Sequence, residues 1–273
     1  MKEYISLNGE PIPDQLPIRS LFYGEGVFET FRLRSSLPVL WYRHMARMSR
    51  GAEFLGIPFP GPERIEKMVE DAVSESGISD AYVKICLFSG GSNLFHDISA
   101  NSSILIVLRG YKPPKASVKA LISNFSRSSS SPILSIKSLN YLENIIARRE
   151  AIRLGFDEAI FLNERGEITE GCASNIFWLK EGVLFTPSLD CGLLPGVTRG
   201  LVVELAVNLG IEVVEGRFDL ASLISGQVAF FSNSLVGVMP ATRIYETDFM
   251  PESKEFLAIR KALSDRLEWP LQV

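Results

Sequence analysis

Cysteine and histidine are scarce in this 273-residue chain: three of the first and two of the second. Cys86, Cys172 and Cys191 are too few and too scattered for a disulfide framework or a zinc site. His44 and His96 alone exclude a multi-histidine metal centre. Basic charge is not in excess. A net charge of −4 and a pI near 5.4 leave no electrostatic footprint for nucleic acid. No apolar run approaches the length of a bilayer span, and the start, MKEYISLNGEPIP, lacks the apolar core of a signal peptide. These absences leave a cytoplasmic, metal-free class with no membrane or nucleic-acid partner. Hydrophobic residues at 46% and charged residues at 22% are ordinary for a globular chain, long enough here for two domains.

Strand and helix signals alternate in blocks. YISLNGEPI carries an Asn-Gly turn between short apolar runs, a hairpin signal. RHMARMSRGAEFL reads as a helix stopped by Gly56 and Pro58; a second follows Pro62, with Ile65, Met68, Val69, Ala72 and Val73 at helical spacing. AYVKICLF and SILIVLRG read as strands, and the Gly, Pro and Lys-rich RGYKPPKAS after them as a linker. The division expected is 1–110, a linker at 111–117, and 118–273. VKALISNF is the next strand, and the serines at 128 to 131 form a loop. IKSLNYLENIIARREA reads as an apolar strand end running into a helix, with Lys137 at the junction. EAIFLN, ERGEITEG and SNIFWLKEGVLFTPS follow as a meander with Glu-Arg-Gly and Lys-Glu-Gly turns. A helix is expected over about Thr198 to Leu209, ended by Gly210, then strands QVAFFSNS and GVMPA and an amphipathic tail helix.

A lysine where an element opens is, taken alone, a solvated turn residue. Its neighbours change the reading. Glu170, in ITEGCASN, is a candidate partner, since a helix and a returning hairpin fit between the two. LLPGVTRG is a Gly turn opening a helix, with Thr198 as its N-cap, and such a terminus offers N–H groups and a positive dipole end to an anion. FFSNSLVG sets Ser232, Asn233 and Ser234 just past an apolar strand, and Arg47 shares a helix face with His44. An amine, a carboxylate and an anion cradle together point to pyridoxal phosphate: the lysine bonds its aldehyde, the carboxylate keeps its ring nitrogen protonated, and the cradle grips its phosphate.

The chain resembles the fold-type IV (class IV) pyridoxal-phosphate aminotransferases, a group holding branched-chain aminotransferases, D-amino acid aminotransferases and aminodeoxychorismate lyase. Six stretches carry the resemblance in order: YGEGVFETFR, RHMARM, IKSLNYL, DEAIFLNERGEITEGCASNIFW, LFTPSLDCGLLPGVTR and FFSNSLVGVMP. It implies an α/β protein with a small N-terminal α+β domain and a larger C-terminal α/β pseudo-barrel domain, working as a homodimer. By the match Lys137 is the catalytic, cofactor-bearing lysine and Glu170 the partner of the pyridine nitrogen. Arg47, Val197, Thr198, Ser234 and Asn233 surround the phosphate. A freed Lys137 would serve as the general base.

For substrate the resemblance implies an amino acid and a 2-oxo acid such as 2-oxoglutarate or pyruvate. IKSLN and the SNS loop stand closest to the D-amino acid branch, and His96 falls near that branch's carboxylate-binding histidine. The arginine expected just before it is Leu94, however, and the branch's tyrosine is Phe28. The Tyr-x-Arg-Pro of branched-chain enzymes is replaced by YVKI, and the lyase's Arg-Gly loop by FSGGSNLFH. Transfer of an amino group, with a leaning to D-amino acids, is the expectation; branched-chain transamination and lyase activity releasing pyruvate are its alternatives. Arg32, Arg34 and Arg243 are further candidates for the substrate carboxylate.

Overall fold

The structure, a computed structural model, describes residues 6–7, 10–11, 18–34, 36–91 and 95–270. Strands β1 (Ser6–Leu7) and β2 (Glu10–Pro11) pair antiparallel as the hairpin signal requires, with the Asn-Gly turn itself outside the described residues. A short helix, α1 (Ile18–Tyr23), leads into an antiparallel meander of β3 (Gly26–Arg34), β4 (Asp80–Gly90) and β5 (Asn101–Gly110). Helices α2 (Trp41–Phe54) and α3 (Pro62–Ser76) intervene between β3 and β4. Trp41, Met45, Met48 and Ala52 of α2 recur at helical spacing and are buried, as are Ile65 and Val69 of α3. They meet Val27, Phe31 and Leu33 of β3 and Ala81, Val83, Ile85 and Leu87 of β4, all at even spacings that put them on one face of the sheet. The intervening residues, Phe28, Thr30, Tyr82 and Lys84, therefore face the opposite side of the sheet, where they line a cavity. That two-residue period is what places them.

Residues 111–117 carry no helix or strand. Beyond them lies a nine-stranded mixed sheet. Its order begins with β11 (Val213–Gly216), β10 (Val183–Pro187), β9 (Asn175–Lys180) and β12 (Val228–Asn233). It continues through β13 (Gly237–Ile244), β6 (Val118–Arg127), β7 (Glu158–Asn163) and β8 (Ile168–Gly171), with β14 (Thr247–Asp248) on β13. Helix α4 (Leu142–Arg153) crosses from β6 to the parallel β7. The sheet curls until β8 approaches β9 and β10, a half-barrel. Both of its faces are covered. Phe177 and Phe230 stack at 5.1 Å under α5 (Val197–Asn208) and α6 (Lys254–Leu267), while their neighbours Ile176, Trp178 and Phe231 fill the inner side. The tail helix is amphipathic as expected, burying Phe256, Ile259, Leu263 and Leu267, and the Ser253 hydroxyl caps it by accepting from the Phe256 N–H. The Lys-Glu-Gly turn joins β9 to β10 with Glu181 at φ 51° and Gly182 at φ 80°, the twist a two-residue hairpin needs.

One local expectation is corrected. No strand ends at Lys137. β6 stops at Arg127, a single 3-10 turn occupies Pro132–Ser135, and Lys137 sits in an extended connector before α4. That connector is fastened to β3 instead. The Phe28 N–H donates to the Lys137 carbonyl at 2.8 Å, and the Leu139 N–H to the Gly26 carbonyl at 2.9 Å. Gly26 permits the approach, since a Cβ there would lie 2.5 Å from Leu139 Cδ1.

Candidate active site

A cavity of about 240 Å³ opens between the meander and the half-barrel. Phe28, Arg47, Lys137, Glu170, Val197, Thr198, Asn233 and Ser234 all line it, so residues spread over most of the chain converge as the motifs suggested. His96 does not join them. It lies on the surface, 79% exposed and 3.6 Å from Asp97; Leu94 is outside the described residues. The alternative carboxylate binders are occupied elsewhere: Arg32 by Asp80, Arg34 by the Glu268 carbonyl, Arg243 by the Tyr245 carbonyl.

The Lys137 ammonium stands 4.4 Å from the centre of the Phe28 ring and 5.2 Å from that of Tyr141. Burial, then the positive charge of Arg47, lowers its pKa to about 8, against the opposing pull of Glu29 and Glu170. A lysine so placed supplies neutral amine near pH 8, the form that a nucleophile or a general base needs. Glu170 is buried at the end of β8. Its carboxylate accepts from Arg127 Nη1 at 2.7 Å, the Leu194 N–H at 3.1 Å and Asn175 Nδ2 at 3.3 Å. Burial raises its pKa, while Arg127 and those donors favour the anion. Arg127 lies flat against Phe161, 3.7 Å from the ring centre. Glu170 is the one side chain among the described residues to which its guanidinium donates, and its Nε and Nη2 are buried without partners.

The opposite end of the site suits an anion. Helix α5 starts at Val197 with Gly196 as N-cap, so Thr198 is the helix's second residue and not the cap expected from sequence. No side chain closes the terminus, which leaves first-turn N–H groups and the positive dipole end available. The Thr198 and Ser234 hydroxyls stand 3.1 Å apart beside it, and the Ser232 hydroxyl nearby is buried without a partner. Asn233 acts on the backbone: its Oδ1 accepts from the Leu235 and Val236 N–H groups, both at 3.0 Å, and its Nδ2 donates to the Ala173 carbonyl at 3.2 Å.

Arg47 is held by a residue the sequence reading missed. Its Nε and Nη2 donate to the two oxygens of Glu29 at 2.8 and 2.7 Å, and Nη1 to the Pro195 carbonyl at 3.2 Å. His44 Nδ1 lies 2.7 Å from the same carboxylate. Burial works to raise the Glu29 pKa, yet Arg47 and His44 outweigh it and hold the group near 2 against an ordinary 4.5. Because this acid is depressed, its stabilisation is complete above pH 4.5 and is lost as pH falls towards about 2. At neutral pH the linkage is worth about 3 kcal/mol. Glu29→Gln should lose about that much unfolding free energy at neutral pH, and the deficit should shrink on acidification; urea titrations across that range measure it. Tyr82, Lys84, Tyr141, Asn175 and Arg127 were also unmarked in the sequence. Period-two alternation from Phe28 and along β4 would have found Tyr82 and Lys84; nothing local marks Arg127.

The Amino-transferase class IV family model matches residues 26–244. The chain belongs to the class IV aminotransferases. Among curated relatives, the aminodeoxychorismate lyase of Bacillus subtilis is 32% identical over 266 residues, covering 92% of this chain and 90% of the relative. The branched-chain-amino-acid aminotransferase of Escherichia coli is 29% identical over 263 residues, covering 89% and 85%. The solved branched-chain aminotransferase of Thermoproteus uzoniensis, with norvaline, superposes with a TM-score of 0.84 at 30% identity, over 91% of this chain and 88% of that one. This is the fold-type IV architecture that the six motifs implied, and pyridoxal phosphate is the family's cofactor. The residues present fit it. The cavity offers a half-buried lysine of lowered pKa, a fixed carboxylate, and an uncapped helix terminus with an orphaned hydroxyl nearby. Among the described residues no group of three or more His, Cys, Asp or Glu side chains could hold a metal, and no helix is long and apolar enough to cross a membrane.

Proposed function

We propose that this class IV aminotransferase moves an amino group between an amino acid and a 2-oxo acid, with Lys84 holding the substrate carboxylate. The observation that carries the reading is the state of Lys84. It is half-buried on the cavity wall, 4.3 Å from the Phe28 ring centre, and has no ion pair among the described residues. An unpaired ammonium there is ready for an anionic substrate group. Pyridoxal phosphate, when bound, supplies an aldehyde that bonds an amine and a ring that accepts an electron pair. Lys137 would hold that aldehyde, and its free amine would be the base that takes the proton from the substrate Cα. Glu170 would hold the ring nitrogen in its protonated form. The Val197 and Thr198 N–H groups, the Thr198 and Ser234 hydroxyls and Arg47 hold the phosphate, with Asn233 shaping the loop that carries Ser234. Phe28 walls the substrate side. Lys84→Met should raise the substrate KM roughly ten- to a hundred-fold, the worth of a hydrogen bond to a charged group, with a smaller change in kcat. Steady-state kinetics on the two proteins decides it.

The leaning to D-amino acids rests on IKSLN and the SNS loop alone, since exposed His96 gives it no support. A second reading, aminodeoxychorismate lyase, is favoured by the Bacillus subtilis relative. Following cofactor absorbance with L- and D-amino acids in turn, and pyruvate release from aminodeoxychorismate, separates the readings. Conversion by no amino acid, with pyruvate released, would replace transamination by lyase chemistry. The division at 111–117 is supported by the apolar cluster of β3, β4, α2 and α3, which takes no residue from beyond the segment. A homodimer is supported by Leu142, Ile145 and Ile146 of α4, which are 66%, 41% and 42% exposed. Light scattering tests the dimer.

A further inference from the structure

The loop carrying Ser234 is the tip of the hairpin between β12 and β13, and its own sheet does not hold it completely. The Leu235 and Val236 N–H groups are satisfied within the tip, by Asn233. Two consecutive carbonyls point the other way and are taken by the N-terminal part of the chain. The Arg32 N–H donates to the Ser234 carbonyl at 3.1 Å, and the Tyr111 hydroxyl to the Leu235 carbonyl at 2.7 Å. Tyr111 is itself fixed. Its N–H donates to the Asp80 carbonyl at 2.9 Å, and its ring lies 3.9 Å from the Arg32 guanidinium. That guanidinium is gripped by both oxygens of Asp80 at 2.8 and 2.6 Å and lies 5.4 Å from the Trp269 ring of the C-terminal tail. Arg32, a candidate carboxylate binder by sequence, is thus the middle of a clasp joining β3, β4, the linker and the tail. Neither Tyr111 nor Arg32 lines the cavity.

We propose that Tyr111 is a positioning residue for the anion end of the site. By holding the Leu235 carbonyl it sets where the Ser234 hydroxyl stands beside Thr198, so the seam between the two sheets tunes the grip on the cofactor phosphate. This rests on the assignment of Ser234 and the α5 terminus to the phosphate. Tyr111→Phe keeps the ring on Arg32 and removes the hydroxyl alone, so a folded protein is expected, its melting temperature lower by no more than the few degrees that one net hydrogen bond is worth. Its affinity for pyridoxal phosphate should fall roughly five-fold, the worth of one net hydrogen bond, while affinity for pyridoxal, which lacks the phosphate, stays as in wild type. A general loosening would weaken both. Ser234→Ala should lower the same ratio, and the double variant should lower it no further than Ser234→Ala, because Tyr111 acts through that hydroxyl. The measurement is cofactor dissociation from the full chain, read by absorbance, for the four proteins with each ligand. If Ser234→Ala leaves the ratio unchanged, the phosphate assignment falls and the proposal with it. If Ser234→Ala lowers the ratio but Tyr111→Phe does not, or the two effects add, the proposal alone is overturned.

Discussion

Lys137→Ala protein is expected to retain pyridoxal phosphate, held by the anion end, and to lose amino-group transfer by at least about three orders of magnitude. The two effects separate because the anion grip and the amine come from different segments: the α5 terminus and the β12–β13 turn against the connector before α4. The structure also names the competitor. Lys84 shares the cavity, 4.3 Å from the same Phe28 ring that Lys137 approaches at 4.4 Å. Borohydride treatment of the wild-type protein followed by peptide mapping should put the label on Lys137. A label on Lys84, or on distant Lys119, would refute the assignment. The pH dependence has a definite sign. With burial and Arg47 lowering the Lys137 pKa to about 8, the neutral amine fills in as pH rises through that value. Capture of pyridoxal phosphate by cofactor-free protein should therefore accelerate up to about pH 8 and level off above it. A rise continuing towards an ordinary lysine's 10.5 would mean that the reacting amine is solvated.

The sequence made much of this site legible because the chemistry is carried by residues with strong local contexts. Gly196 before Val197 announces a helix start, and the SNS triplet after Phe230 and Phe231 announces a strand end, so both segments could be named without a fold, and both line the cavity. The reading went astray where backbone geometry at one residue mattered. Thr198 is a natural cap by type, but the chain turns one residue earlier and Gly196 takes the position, which leaves the terminus open to the cavity. Lys137 was expected at a strand end because IKSLNYLENIIARREA reads as an apolar run passing into a helix. The chain instead forms a 3-10 turn over Pro132–Ser135 and a connector whose partner, β3, lies more than a hundred residues away. Long-range pairing of that kind leaves no local periodicity. Glu29 and Arg127 were missed for the same reason. An acid on a strand and an arginine at a strand end look solvated in sequence, and only the packing of α2 on β3 and of β7 and β8 beyond β6 encloses them with opposite charges.

Glu170→Gln is expected to slow the proton-transfer step by at least about two orders of magnitude, or ~2.7 kcal/mol in the barrier. A carboxylate against the ring nitrogen keeps that nitrogen cationic, and a neutral ring is a poorer sink for the charge left when the Cα proton departs. Glu170 can do this only as an anion, and the structure shows the contest over its charge. Burial favours the protonated form, while the Arg127 guanidinium at 2.7 Å and the Leu194 N–H at 3.1 Å favour the carboxylate. A positive ring nitrogen would add to the second side. The net direction in the free protein is upward and a ring cation pulls it back down, so an acid limb set by Glu170 should vanish in the glutamine variant. Glutamine keeps the length of the side chain and an oxygen for Arg127, so the fold and the phosphate grip should survive. The measurement is single-turnover conversion of the cofactor to its aminated form, across pH, with both proteins saturated in cofactor. A variant that reacts within a few-fold of wild type, with the acid limb still present, would make Glu170 a structural partner of Arg127 and place the group that holds the ring cation elsewhere in the cavity.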